Sequence, residues 1–304
     1  MLRQALCLLF LLAACGTTTR SHPDAANDPA LLAEVRAVIA ELGPGVRASL
    51  WLSLPLGEPL LALGADKPMP VASAIKAGYL VELFAALPNG LDAPLPGAAA
   101  VLADGKHPAV ARFSPTQRAT AQMALGTASV HRIGEAMIAG KGVDNATYNI
   151  AANLVTAFFG GPTWLEAKLH ARDPEWHGLH VRRYMLANRE TGDNTATAYA
   201  LAAVHGRLAL GDVPGLDART VAAVRDVMAR PTDAIGRRVF AKSGALNSDP
   251  ITRVEAGWRE GPNGALVHVV MLSKSGVPAD EQAKSGQLLG EAALRIQGLL
   301  LASR

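Results

Sequence analysis

Ser73 is followed three residues later by Lys76 inside an apolar run, PMPVASAIKAGYLVELF, residues 68–84. On a helix that spacing puts a hydroxyl and an amine on one face. A serine hydroxyl is a weak nucleophile until a neighbouring base removes its proton. A lysine amine stripped of water among apolar side chains gives up its charge more readily and can be that base. At a helix start Ser73 also meets the positive end of the dipole, and its own backbone N–H can face a developing oxyanion. Taken alone the pair reads equally as a helix cap beside a lysine whose stem snorkels. A second cluster of reactive types, HARDPEWHGLH, gathers His170, Asp173, Glu175, His177 and His180, all able to ligate zinc. Its closest histidines are three apart rather than four and match no zinc-enzyme motif, so no metal is expected there, only a solvated helix-to-loop junction.

The elements that must hold these residues follow from the hydrophobic pattern. Ile75, Tyr79, Leu80, Leu83, Phe84 and Leu87 recur at helical spacing behind Ser73. Asp28 and Pro29 open an earlier helix with a stripe of Leu31, Leu32, Val35, Val38, Ile39 and Leu42, and Gly43 ends it. VRASLWLSL alternates strictly, with Val46, Ala48, Leu50, Leu52 and Leu54 on one face and Arg47, Ser49, Trp51 and Ser53 on the other, which predicts a half-buried strand. The turn PLGEP joins it to a hairpin partner, LLALGAD. From residue 73 to about 230 the pattern is mostly helical. Strands return at RRVFAKSG, TRVEAGWRE and LVHVVMLSK, joined by turns such as GPNG. A last helix carries Leu288, Ala292, Ile296 and Leu299 on one side.

This order predicts an α/β (α+β) fold. One antiparallel five-stranded sheet is built from both ends of the chain, residues 28–68 and 231–304, with the terminal helices on it. A helical domain, residues 69–230, is inserted, and a cleft is expected where the two meet, beside Ser73.

Further motifs lie in a telling order: Ser73-Ala74-Ile75-Lys76, then ATYNIAANLV, then Lys242-Ser243-Gly244. This resembles the serine β-lactamase and penicillin-binding-protein superfamily, most closely the class A β-lactamases, whose chains carry S-x-x-K, S-D-N and K-[TS]-G in that order. The resemblance runs from about residue 28 to the C-terminus. It implies that Ser73 attacks an amide or ester carbonyl, that Lys76 takes its proton, and that a second oxyanion donor comes from the strand after Gly244. Aligned on AAN, the middle motif falls on Thr147-Tyr148-Asn149. There Thr147 would pass a proton to the leaving group and Asn149 would hold the acyl side-chain carbonyl and touch Lys76. Tyr148 stands where the family has an acid. Lys-Ser-Gly recurs at residues 274 and 284, but only Lys242 lies on a strand with two more strands to follow. Its role in the family is to raise the local positive potential, while Ser243 binds a substrate carboxylate and Gly244 lets the backbone approach. Arg253, opening the next strand, resembles the carboxylate-binding arginine.

The family's deacylating glutamate is out of register. Counting from the GGP segment, Arg-Trp-Glu falls on Arg183-Tyr184-Met185, and a methionine cannot be a general base. Glu190 is the candidate replacement, because Glu190 and Asn194 keep the Glu-x-x-x-Asn spacing about seven residues late. The expected activity is therefore β-lactamase-type hydrolysis. The alternatives are a penicillin-binding, DD-peptidase-like or esterase protein with slow deacylation, and, in another class, a non-catalytic cell-wall-binding lipoprotein.

The leader MLRQALCLLFLLAACG has a positive start and an apolar stretch too short to span a bilayer. It resembles a bacterial lipoprotein signal over residues 1–15, with Cys15 as the lipid-bearing residue and 16–27 as a polar tether. The expected location is the periplasmic face of a membrane in the cell envelope. No cysteine follows Cys15, so the 304-residue chain gains no disulfide within its body. Half of its residues are hydrophobic and only 5% aromatic, which predicts an aliphatic core. A net charge of +3 without a basic block gives no ground for a nucleic-acid partner. No cofactor is implied. The expected partners are a β-lactam, ester or peptidoglycan-peptide substrate and a membrane, with the chain a monomer.

Overall fold

The computed structural model describes His22 and residues 24–302. The leader and Cys15 lie outside the described residues, as does most of the tether. The strands are β1 (Ala25–Ala26), β2 (Val46–Ser53), β3 (Pro59–Leu63), β4 (Met69–Pro70), β5 (Leu179–His180), β6 (Thr195–Ala196), β7 (Ala229–Arg230), β8 (Arg238–Ala241), β9 (Gly244–Leu246), β10 (Ile251–Gly261) and β11 (Gly264–Lys274). The helices are α1 (Pro29–Glu41), α2 (Lys76–Ala86), α3 (Ala98–Ala103), α4 (Pro115–Leu125), α5 (Val130–Ala139), α6 (Asn145–Phe158), α7 (Pro162–Arg172), α8 (Ala198–Leu210), α9 (Ala218–Met228) and α10 (Gln282–Ala302).

The main sheet is antiparallel in the order β1-β3-β2-β11-β10-β8-β7, with β9 also on β10. The five expected strands form its body. It reaches eight because two-residue strands extend both edges and because Lys242 and Ser243 interrupt one strand into β8 and β9. Asp28 caps α1 as expected, accepting from the N–H groups of Ala30 and Leu31 at 2.9 and 3.1 Å.

The alternation in β2 predicted one wet face, and the structure gives it none. Trp51, Val254, Ala256, Trp258, Val267, Val269 and Met271 pack against the helical block. On the other face Leu50, Leu52, Leu61, Val270 and Leu272 pack against Val35 and Val38 of α1 and Leu289, Ile296 and Leu300 of α10. The sheet is thus the middle of three layers, which is why Ser49, Trp51 and Ser53 are all buried. The polar groups on that face find partners, since Ser49 Oγ donates to Gly64 O at 2.9 Å and Trp51 Nε1 donates to Ser53 Oγ at 2.8 Å. Each aliphatic side chain fully buried in these layers stabilises by roughly 1.5–3 kcal/mol. The stripe of α10 also turns from its expected position: Leu289 is buried and Leu288 exposed, because the helix presents the Gly286–Leu289–Ala293–Ile296 side to the sheet. The end of the tether belongs to the body too. Ala25 and Ala26 pair with β3, and His22 packs its ring against those of Tyr199 and Trp51.

In the helical block α2 is buried on every side from Lys76 to Phe84. Neighbours come close at two glycines, each of which faces a leucine of an adjacent helix. A Cβ on Gly134 of α5 would stand 2.8 Å from Leu80, and one on Gly78 of α2 would stand 2.9 Å from Leu169. A second small sheet, β4-β6-β5, joins three segments that matter below. It ties the strand before Ser73 to both roots of the loop of residues 181–194.

Candidate active site

Ser73 lies on a 3₁₀ turn, Ala72–Ile75, and α2 begins at Lys76. The α-helix expected from Ser73 onward thus begins with a tighter 3₁₀ turn, and Lys76 is the first residue of the α-helix proper. Ala72 enters the turn with a left-handed φ of 48°, a strain of about 1–2 kcal/mol held immediately before the serine. β9 runs hard against this turn: a Cβ on Gly244 would lie 2.6 Å from Val71 O, 2.9 Å from Ala74 N and 3.0 Å from Ser73 N. A glycine is needed there by contact alone, and it brings the β9 backbone alongside the Ser73 N–H.

Lys76 is completely buried. Its Nζ donates to Asn149 Oδ1 at 3.1 Å and lies 3.3 Å above the centre of the Tyr148 ring. Burial, and after it the charge of Lys242, hold the Lys76 amine well below the ordinary lysine range. Asn149 is fixed in turn, donating from Nδ2 to Asn145 O at 2.9 Å. Lys242 Nζ stands 5.4 Å from the Tyr148 ring and donates to Ser243 O at 2.9 Å. Arg253 donates to Leu246 O at 3.0 Å and Thr252 O at 2.8 Å, which props its guanidinium across the end of β9. Ser73, Asn149, Lys242, Ser243, Gly244 and Arg253 all line one cleft of about 670 Å³, and Lys76 lies beneath it.

No family model matches the sequence, and no curated protein matches it. The solved structures are informative. A TLA-1 extended-spectrum β-lactamase superposes with a TM-score of 0.67 at 13% identity, covering 89% of this chain and 98% of that one. The reconstructed class A β-lactamase of the last common ancestor of Gram-negative bacteria gives 0.65 at 21% identity over 90% and 99% of the two chains. PBP-A gives 0.64 at 21% identity over 93% and 99%. The chain has the class A β-lactamase fold.

Within that fold the loop of residues 181–194 bounds the cleft, and its framework is explicit. Asn194 Oδ1 accepts from the N–H groups of Arg182 and Arg183 at 2.9 and 3.0 Å, closing the loop at its roots. Arg183 pairs with Asp193 at 2.6 Å. Asn153 of α6, the last residue of AAN, clamps the Met185 backbone from both sides: its Nδ2 donates to Met185 O at 3.1 Å and its Oδ1 accepts from Met185 N at 2.6 Å. Arg189 ties the loop across to Ser248 and Asp249, beyond β9.

Two expected site residues are not brought into the cleft. Glu190 is exposed and does not line it. The clamp on Met185 fixes the register of the loop, so Met185 holds the cleft wall and Glu190 lies past it. Thr147 is also absent from the lining and is fully buried. Asp144 caps α6 by accepting from Thr147 N at 2.7 Å, and the helix then points Asn145, Tyr148 and Asn149 into the cleft at i, i+3 and i+4 while Thr147 turns inward. Tyr148 therefore occupies the wall that Thr147 was expected to form. The i, i+3, i+4 spacing carried that signal, but alignment on the family motif masked it.

Among the described residues the cleft is lined by two carboxylates, Asp193 and Glu255. Asp193 is engaged by Arg183 and, at 3.2 Å, by Arg189. Burial raises the Glu255 carboxyl above the usual carboxylate range, and Lys242 and Arg259 oppose that rise. Glu255 and Arg189 escaped the sequence reading because neither belongs to a recognisable motif.

Proposed function

We propose that the chain is a penicillin-reactive serine hydrolase that is acylated at Ser73 and releases the acyl group slowly. The reading rests on one observation, the Lys76 amine: buried, held well below the ordinary lysine range, and hydrogen-bonded to Asn149 directly behind the serine turn. In this reading Lys76 takes the Ser73 proton as the hydroxyl oxygen bonds to the carbonyl carbon, and the oxyanion is met by the N–H of Ser73 and an N–H of β9. Lys242, Ser243 and Arg253 receive the substrate carboxylate. Tyr148, whose ring packs against both lysine amines, gives its hydroxyl proton to the departing nitrogen and takes back the proton that Lys76 received from Ser73, so that amine and phenol are both restored.

Slow release follows from the wall opposite. Deacylation needs a base for water, and Met185 stands where that base would be. A variant of PBP-A, of the same fold, has been solved as an acyl-enzyme with penicillin G. With the leader read as a lipoprotein signal, the natural acyl donor in this proposal is a cell-wall peptide or ester met at the envelope.

Intact-protein mass spectrometry after mixing with penicillin G, beside turnover of a chromogenic cephalosporin, tests this. An adduct on Ser73 that outlasts many minutes, absent in Ser73→Ala, is the expected result. Rapid turnover without accumulation would instead make the protein a β-lactamase in the full sense, and no adduct with no turnover would leave a non-catalytic binding protein.

A further inference from the structure

We propose that Glu166, His170 and His180 form a binding site for a divalent transition-metal ion, zinc foremost, where α7 meets β5. One ligand atom from each of the three lies within 4.8 Å of the other two. A tetrahedral zinc with bonds of 2.0–2.1 Å separates its ligands by about 3.3 Å, so side-chain adjustments that shorten the spacing by about 1.5 Å at most close the set.

The sequence holds the site in two pieces. Glu166 and His170 are four apart on α7 and share its face. The 3₁₀ turn Pro174–Gly178 then folds the chain back and brings up His180 on β5. Of the five possible ligands in residues 170–180, only His170 and His180 belong to this cluster. Asp173 is fully committed to Arg207 at 2.7 Å, and His177 donates from Nδ1 to Pro174 O at 2.7 Å. The acid that joins His170 and His180 is one helical turn upstream.

The surroundings of the three residues are those of metal ligands. His170 Nε2 lies 2.7 Å from Leu179 O, and a carbonyl only accepts, so Nε2 carries the proton and Nδ1 holds the lone pair. Imidazoles that bind metal are oriented by such a bond from the other ring nitrogen. Glu166 Oε2 accepts from Val181 N at 2.6 Å, and Oε1 faces His180 Nδ1 at 3.7 Å. All three residues are half-buried, so an ion can reach them from solvent.

Such an ion joins the root of the cleft loop, since His180 is followed directly by Val181, Arg182 and Arg183. It also bears on Tyr79, whose phenol is held up by burial first and by Glu166 second, and whose oxygen meets Asn194 Nδ2 at 3.5 Å.

The test is calorimetric titration of untagged, chelator-treated protein with Zn²⁺, and with Co²⁺ for its visible d–d spectrum. One equivalent of zinc, and cobalt bands of a four- or five-coordinate site, are expected. His180→Ala and Glu166→Gln are each expected to lose at least about tenfold in affinity, and Glu166→Gln keeps an oxygen for the Val181 N–H so that the fold is retained. Ser73→Ala is expected to bind zinc as the parent does, which separates this site from the acylation chemistry. Absence of stoichiometric binding, or equal affinity in the parent and both ligand variants, overturns the proposal.

Discussion

Lys76 Nζ and Asn149 Oδ1 meet at 3.1 Å although 73 positions separate them in the chain. The contact joins α2 to α6 and puts the amine under the Ser73 turn with its charge disfavoured. Two consequences follow for pH. Between its lowered folded value and the ordinary 10.5, the unfolded chain holds a proton on Lys76 that the folded chain does not. Stability therefore rises with pH through that window and is level above it. Acylation, needing the free amine in the proposed mechanism, rises with pH through the same lowered pKa. Lys76→Met is expected to abolish acylation and raise Tm by about 2–4 °C near pH 7, with the gain vanishing above the unfolded lysine's pKa. Thermal melts and stopped-flow acylation from pH 5 to 10.5 measure both.

The proposed mechanism gives Tyr148 the proton transfer that the resemblance assigned to Thr147, and paired substitutions separate the two. Tyr148→Phe is expected to slow penicillin acylation by about 100-fold. Thr147→Val is expected to leave the rate within about threefold, because its side chain is buried away from the cleft. Acylation constants for the two variants decide which residue passes the proton.

Gly244→Ala places a methyl 2.6 Å from Val71 O and 3.0 Å from Ser73 N. Either β9 or the serine turn must retreat, and the oxyanion donors separate. A loss of at least about 100-fold in acylation is expected with the protein still folded, measured by adduct formation and circular dichroism.

Met185→Glu puts a carboxylate on the cleft wall, where the Asn153 clamp already fixes the backbone. Release of the acyl group is expected to accelerate by at least about 100-fold. Tm falls, because Met185 is buried and its replacement is charged. The lifetime of the penicillin adduct by mass spectrometry is the readout.

Asp193→Asn breaks the pair with Arg183, in which each side chain is only 10% exposed. A stability loss of about 3 kcal/mol is expected, since an arginine is left without its partner. Limited proteolysis should shift towards residues 183–194, and denaturant melts give the magnitude.

The sequence by itself determined the element order and the motifs at Ser73, Lys76, Asn149 and Lys242. Those rest on local periodicity and on short spacings that any chain must keep to build the same turn and strand. It also marked Met185 as a side chain with no proton to trade. What it left undecided depends on which way a helix turns and what covers a strand. Thr147 and Tyr148 are neighbours, and only the Asp144 cap and the packing of α6 choose which one faces the cleft. Alternation in β2 fixes two faces but cannot say that both will be covered, which α10 and the helical block decide together from the distant end and middle of the chain. Glu190 keeps a familiar spacing from Asn194, yet the Asn153 clamp sets the register of the loop and leaves it outside. Glu166, His170 and His180 likewise become one cluster only when the chain folds back after α7. Spacing along a chain specifies faces; tertiary contact alone selects the face that is used.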